Sequence, residues 1–324
     1  MSALALVGPT TSGKTALSIP LALRLGAEII STDSRQVYRG MDIGTDKATR
    51  ADRKRVPHHG LDLVDPGERY SAGQFARDAR GWIEEIRGRE RVPLLVGGTG
   101  FFLRALTEPI FREPRLEGGR RERLRGYLST LSVEEMGRWA RALDPARAAL
   151  ATDGGRQRLA RTLEVPLLTG HPLSWWHRHA PPDAPPVETR IVRLKVPRDE
   201  LRRRIDARAR AMFEGGLLDE VRHRLERGIT ASSPGMTATG YREAADVLAG
   251  TLSQEEAIAR VQGETRRYAR RQETWFRNQL PANTFVLDAT VPPADQVARV
   301  FDWWAGTGSP LEGVGSAPAR GGPE

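Results

Sequence analysis

The 324-residue sequence predicts an α/β fold: a parallel sheet flanked by helices and interrupted by an all-helical insertion domain. Three observations predict it. A short apolar run, "ALALVG", leads directly into a glycine-rich loop and an apolar-periodic segment, "KTALSIPLALRLG". Further short apolar runs alternate with helix-patterned stretches, the arrangement that builds parallel β-α-β units. Between residues 113 and 186 that alternation stops, and a strandless, arginine-rich segment of helical pattern takes its place.

The elements follow in order. "ALALVG" is the first buried strand, and the helix after its loop is closed by Gly26, a residue suited to a left-handed cap. Pro20 inside that helix removes a backbone donor and predicts a kink. "AEIIS" is a second strand, ending at the polar "TDSRQVY". A helix from Ala72 to Arg87 leads to "VPLLVGGTG", a third strand with a glycine turn, and "IVRLKV", Ile191 to Val196, is a fourth. The inserted segment ends in "APPDAPP", a stiff linker-like stretch. Residues 1–112 and 187–305 are thus two parts of one core, the second mostly helical, and 113–186 is the insertion. The Gly/Pro/Ser-rich tail, 306–324, is expected to be disordered.

Composition narrows the function classes. Hydrophobic residues make up 39% and charged residues 28%, values of a soluble globular chain. No apolar run approaches the roughly 20 residues needed to cross a bilayer, and "MSALALVG" lacks the regions of a secretory signal. There is no cysteine, which excludes disulfides, thiolate metal sites and a cysteine nucleophile. The cytoplasm is the expected location. Net charge is +9, nearly all of the basic excess arginine, with lysine only at positions 14, 47, 54 and 195. Such an excess favours a polyanionic partner, nucleic acid first. "HH" at 58–59 and "WWHRH" at 175–179 lack the spacing and partners of metal ligands.

The loop carries the chemistry. "GPTTSGKT" contains Gly-x-x-x-x-Gly-Lys-Thr, with Gly8, Gly13, Lys14 and Thr15 in register between a strand and a helix. Backbone N–H groups of Pro9–Gly13, where they exist, and the helix N-terminus form an anion cradle. Lys14 adds a point charge for phosphate oxygens, and the Thr15 hydroxyl can ligate Mg²⁺. The core is therefore a P-loop NTPase-like sheet. A nucleotide hydrolase should also carry an acidic residue at the end of a neighbouring apolar strand. Here "VPLLVGG" ends in Gly97, Gly98 and Thr99. The nearest carboxylate is Asp33, which heads the polar cluster Asp33, Ser34, Arg35 and Gln36 at a strand's carboxyl end, where α/β sites form.

An ordered set of blocks resembles the bacterial tRNA dimethylallyltransferases, also called tRNA isopentenyltransferases. It includes "GPTTSGKT", "ISTDSRQVYRGMDIGTDKAT", "VPLLVGGTGFFLRAL", "QRLARTLEV", "GYREA" and "RRYARRQETWFR", running from Leu6 to about Arg277. The resemblance implies that Gly8, Pro9, Thr10, Thr11, Ser12, Gly13, Lys14 and Thr15 hold the diphosphate of dimethylallyl diphosphate. The acceptor it implies is the exocyclic amine of the adenosine 3′ of the anticodon in tRNA. It makes Asp33 the general base, places Thr99 near the reacting amine, and puts Arg208 on the leaving diphosphate with Mg²⁺. It assigns tRNA contacts to Asp33, Ser34, Arg35, Gln36 and Thr99, and to Gln157, Arg158, Leu159, Ala160 and Arg161 in the insertion. Arg121 and Arg123 are further candidates. The insertion would grip the anticodon stem-loop while the core does chemistry, in a monomer.

Phe102 stands where relatives usually carry tyrosine, Thr239 replaces an aliphatic residue, and Pro20 is unusual. Three other functions compete. A P-loop small-molecule kinase would need an acidic Mg²⁺ site and a mobile lid. An adenylate prenyltransferase would need no tRNA-gripping insertion. A non-catalytic RNA-binding protein would leave the P-loop, Asp33 and Thr99 without a purpose.

Overall fold

The computed structural model describes residues 2–108, 116–181 and 183–306. The chain divides into two compact units, Met1–Thr107 with Val187–Glu324, and Glu108–Pro186. The boundary expected near residue 112 and the tail beyond Gly306 lie outside the described residues.

The first unit opens with β1 (Ala3–Val7), α1 (Lys14–Leu25), β2 (Ala27–Ser31), α2 (Arg50–Arg55) and β3 (His58–His59). It continues through α3 (Ala72–Gly88), β4 (Val92–Gly97) and α4 (Gly100–Thr107). The second unit holds α5 (Gly118–Thr130), α6 (Val133–Leu143), α7 (Pro145–Asp153), α8 (Gly155–Thr169) and α9 (Leu173–His179). The first unit then resumes with β5 (Thr189–Lys195), α10 (Arg198–Glu214), α11 (Leu217–Glu226), α12 (Tyr241–Leu248), α13 (Gln254–Gln279), β6 (Phe285–Asp288) and α14 (Pro293–Ala305).

Six strands form one sheet in the order β3-β2-β4-β1-β5-β6, and every pairing is parallel. β1 and β2 are buried at all five positions; β1 accordingly reads as an unbroken apolar run, whereas β2 carries the buried Glu28, whose carboxylate is paired with His59 and Arg89. Leu4 and Leu6 of β1 pack with Leu17 and Leu21 of α1, Val192 and Leu194 of β5, and Val300 of α14. Each such side chain, removed from water, contributes about 1.5–3 kcal/mol. Because β2, β3 and β4 lie on one side of β1 and β5 and β6 on the other, the winding reverses at β1. In open α/β sheets ligands bind outside the carboxyl ends of strands at that reversal.

Two strands go beyond the four predicted. β3 is only two residues long, and β6 is a four-residue edge strand in which Leu287 alone is buried. Neither carries enough periodicity to be read locally. The histidines of β3 have structural partners: His59 Nε2 lies 2.8 Å from the buried Glu28 carboxylate, and His58 Nδ1 lies 2.7 Å from the Val56 carbonyl. Pro20 does not end α1, which remains one helix from Lys14 to Leu25. Leu17, Ile19, Leu21 and Ala22, buried on both sides of the proline, hold the segment in place.

The second unit is entirely helical among its described residues. Its core is Leu128, Met136, Ala140, Ala148, Leu159 and Leu163. A capping box on α6 pairs Ser132 with Glu135, and Pro145 opens α7 where its missing N–H has no helical partner to lose.

Candidate active site

The glycine-rich loop leaves β1 and closes onto α1 through Gly13, whose φ of 91° lies in the left-handed region. Within the loop Lys14 Nζ donates to the carbonyls of Gly8 at 3.0 Å and Pro9 at 2.7 Å. Burial lowers the Lys14 ammonium from its ordinary 10.5 to about 8, with Arg208 adding to the shift and Asp33 and Asp46 opposing it. Arg208, on α10, donates from Nη1 to the Thr10 hydroxyl at 2.9 Å and stands 3.8 Å from Asp46. Ser12 Oγ is buried and has no hydrogen-bond partner among the described residues. A buried hydroxyl without a partner, in the loop that leads into a helix N-terminus, suits an oxyanion ligand.

The second cluster forms where β2 and β4 end side by side, Ser31 paired with Val96. Thr32 N–H donates to Val96 O at 2.8 Å, and Thr99 N–H donates to Thr32 O at 3.3 Å, so the two turns leave the sheet together. Thr99 Oγ1 accepts from Ser34 N–H at 3.1 Å and contacts Ser34 Oγ at 3.4 Å. One oxygen of Asp33 accepts from Arg35 N–H at 2.8 Å, which orients the carboxylate. Its second oxygen has no hydrogen-bond partner among the described residues. That half-used carboxylate, beside a hydroxyl held in place, is the arrangement a general base requires.

Gln272, on α13, joins the two clusters. Its Oε1 accepts from Thr10 N–H at 2.9 Å, and its Nε2 donates to Gly98 O at 2.8 Å. A β carbon on Gly98 would stand 2.4 Å from that nitrogen, so the close approach requires glycine. The strand end that a hydrolase uses for an acidic residue is here a turn packed flush against α13.

Tyr268 lies one turn earlier on the same helix. Burial, followed by the negative charge of Asp33, pushes its phenol up to about 12, while a hydrogen bond from Thr99 opposes the rise. Gln272, Tyr268 and Asp46 are the site residues that sequence reasoning missed. The four-residue spacing of Tyr268 and Gln272 within "RRYARRQETWFR" was the available signal, since it places both on one helix face.

The remaining expected residues divide. Ser34 adjoins Thr99, whereas Arg35 and Gln36 are engaged within the protein. Arg35 donates to Pro234 O at 3.0 Å, and the Gln36 amide pairs with Ser31 Oγ, Thr45 O and Asp46 O. In the second unit Gln157, Arg158 and Arg123 are exposed, and Ala160 packs at the edge of the small core. Leu159 is a correction. It is fully buried beside Leu163, because its helical position turns inward between two outward-facing neighbours, and it offers no side chain to a ligand. Arg121 and Arg161 lie 3.0 and 3.9 Å from the buried Glu164, and Arg125 also pairs with it. Burial works against the Glu164 carboxylate, but the Arg125 and Arg121 guanidiniums hold it below its ordinary range. Phe102 is buried and stacks on Phe75 at 4.4 Å, so the position where the resemblance leads one to expect tyrosine is here an apolar packing site.

The chain matches known proteins along most of its length. The model of the family described as IPP transferase matches residues 36–279, and that of isopentenyl transferase matches residues 1–58. A curated tRNA dimethylallyltransferase from Thermomicrobium roseum is 43% identical over 293 residues, covering 89% of this chain and 86% of the relative. The one from Geobacillus thermodenitrificans is 39% identical, covering 93% and 95%. Among solved structures, the full-length tRNA isopentenylpyrophosphate transferase from Bacillus halodurans superposes with a TM-score of 0.68 at 37% identity, over 94% of this chain and 96% of its own. A eukaryotic dimethylallyltransferase described as acting on tRNA gives 0.79 at 26%, over 96% and 81%. Among the described residues no helix is long and apolar enough to cross a membrane.

Proposed function

The chain belongs to the IPP transferase family, the tRNA dimethylallyltransferases, and from that premise we propose how its residues carry out prenyl transfer from dimethylallyl diphosphate to tRNA. The observation that carries the reading is the Gln272 bridge. A diphosphate cradle and a carboxylate–hydroxyl pair share one end of the sheet, and a single amide sets the distance between them.

The acceptor is the exocyclic amine of the adenosine 3′ of the anticodon, drawn out of its stack into the space beside Asp33 and Thr99. The amine nitrogen forms a bond to the allylic carbon as the carbon–oxygen bond to the diphosphate breaks. The electron pair of that bond leaves with pyrophosphate, and the amine proton passes to the free oxygen of Asp33. Thr99 orients the amine. Negative charge grows on the departing diphosphate, where the loop N–H groups, Lys14 and Arg208 stabilise it. The absence of a carboxylate at the end of β4 fits this chemistry, because no water has to be activated.

The residues also suit Mg²⁺. The Thr15 hydroxyl at the start of α1 has no protein partner among the described residues, and no cluster of three acidic, histidine or cysteine side chains gathers among them. An ion there would draw hard oxygen ligands from Thr15, the diphosphate and water. When bound, it neutralises charge on the leaving group. The second unit supplies tRNA contacts through exposed Arg158, Gln157 and Arg123. One chain holds every part, and it acts as a monomer.

The test is a single-turnover reaction with unmodified tRNA, Mg²⁺ and labelled dimethylallyl diphosphate, with AMP as alternative acceptor and ATP as alternative donor. Label in tRNA alone is expected. Label in AMP would make the protein an adenylate prenyltransferase. ATP consumption without prenyl transfer would make it a kinase or hydrolase.

A further inference from the structure

Among the described residues of the first unit, two aromatic side chains are conspicuously exposed: Phe101 at 64% and Tyr268 at 38%. Both flank Thr99. Phe101 follows it by two residues on the first turn of α4, and the Tyr268 hydroxyl is hydrogen-bonded with Thr99. Such exposure has a cost, since an unburied phenylalanine forgoes the stabilisation that removing its ring from water would supply. Its neighbours in α4 behave conventionally, with Phe102, Leu103, Ala105 and Leu106 all turned into the core.

The surface next to Phe101 is basic and open. Arg104, three residues along the same helix face, reaches Gln279 of α13 at 3.5 Å. That contact sets the α4 face alongside a groove of about 540 Å³ lined on α13 by Arg267, Arg270, Arg271, Trp275 and Asn278. Trp275 packs against Gly100, immediately before Phe101. Arg271 also lies over the Tyr268 ring, 5.7 Å from its centroid. An exposed aromatic face beside a row of guanidiniums is how proteins hold unstacked nucleotides: the ring takes a base, and the cations take the backbone.

We infer that Phe101 is a stacking platform for an unpaired nucleobase flanking the target adenosine, engaged as the target enters the space beside Thr99. This rests on the tRNA prenyl-transfer reading. It adds a residue that determines how the RNA substrate is seated, at a position two residues from the proposed chemistry. Drawing a nucleotide out of its stack leaves its neighbours without a partner face, and Phe101 offers one where that loss occurs. The interaction is tolerant of base identity, because every base has a π face.

The experiment is a double-mutant cycle on the full chain. Wild type, Phe101→Ala and Phe101→Trp are each measured for affinity and turnover on three anticodon stem-loop RNAs. One is intact, one is abasic immediately 5′ of the target adenosine, and one is abasic immediately 3′ of it. Expected is a loss of about tenfold in wild-type affinity for one abasic RNA, and a similar loss for Phe101→Ala on intact RNA. The two losses should not add, and Phe101→Trp should restore binding. Losses that multiply on both abasic RNAs would overturn the proposal, because ring and base would then act independently. A wild type that prenylates the intact stem-loop while showing that independence defeats the platform alone. A wild type that leaves the intact stem-loop unmodified defeats the parent reading and the platform with it.

Discussion

The side-chain amide of Gln272 takes the Thr10 backbone N–H at 2.9 Å, across 262 residues of sequence, and its other end donates to Gly98. Gln272 and its bond to Gly98 are buried, and the bond to Thr10 is partly so. The phosphate loop and the Gly98 turn are thereby held at one separation, and the proposed transfer between two bound substrates depends strongly on that separation.

Gln272→Ala should leave the part-buried Thr10 N–H and the buried Gly98 carbonyl without their partner, lowering stability by about 1–3 kcal/mol. Gln272→Glu retains the acceptor for Thr10 but sets an anion against the Gly98 carbonyl and near the cradle. It should weaken dimethylallyl diphosphate binding by about tenfold or more, as one lost charge-assisted contact implies. Thermal melts and donor titrations check both. Wild-type values for either variant would remove the bridge from the mechanism.

Lys14, lowered to about 8, is charged below that pH and neutral above it. Donor affinity should therefore fall as pH rises through about 8. Lys14→Met should bind weakly at pH 7 and stay flat across the same window. Calorimetric titrations between pH 6.5 and 9.5 would show the step, and a wild type without it would mean that the ammonium does not serve the diphosphate.

Asp33→Ala should reduce turnover by about 10²–10⁴, the range for a lost general base, while donor and tRNA affinities change little. Because Asp33 raises the Lys14 ammonium, the variant should also move the donor-binding step to lower pH. Turnover near wild type would transfer the base role elsewhere.

Arg208→Ala removes the donor to Thr10 and a cation from the cradle. Single-turnover rates should drop by about tenfold to a thousandfold, as for one lost oxyanion donor. Arg208→Lys should recover only part, since an ammonium cannot reproduce the planar fork. Equal rates for lysine and arginine would reduce the requirement to charge alone.

Arg158→Ala and its neighbour Leu159→Ala should separate cleanly. The first should weaken tRNA binding and lower the slope of log K against log salt by about one, with an unchanged melting temperature. The second should cost about 2–5 kcal/mol of stability through a cavity in the small core. A salt slope unaffected by Arg158→Ala would leave that arginine a solvated surface charge.

Residue patterns determined much of this protein unaided. The phosphate loop was legible because its chemistry is local: two glycines, a lysine and a helix start within the eight residues that follow a strand. β1 was legible because a strand covered on both faces reads as a continuous apolar run. The insertion showed itself as a stretch where alternation ceased. Asp33 and Thr99 were legible as polar residues at strand ends, although their pairing through Ser34 was not.

Tertiary structure decided the rest. Short β3 and β6 exist because neighbouring strands offer hydrogen-bond partners, not because two or four residues prefer extension. Pro20 stays within α1 because the buried residues around it outweigh one missing donor. Leu159 turned inward while Arg158 stayed out, a choice set by a one-residue rotation of about 100° about the helix axis. Gln272, Tyr268 and Phe101 gained their roles only when α13 and α4 came together at the ends of β1 and β4. Periodicity reports which face of an element is buried, through contacts a few residues apart. The partner of a particular amide or ring depends on which distant segment the folded sheet brings against it.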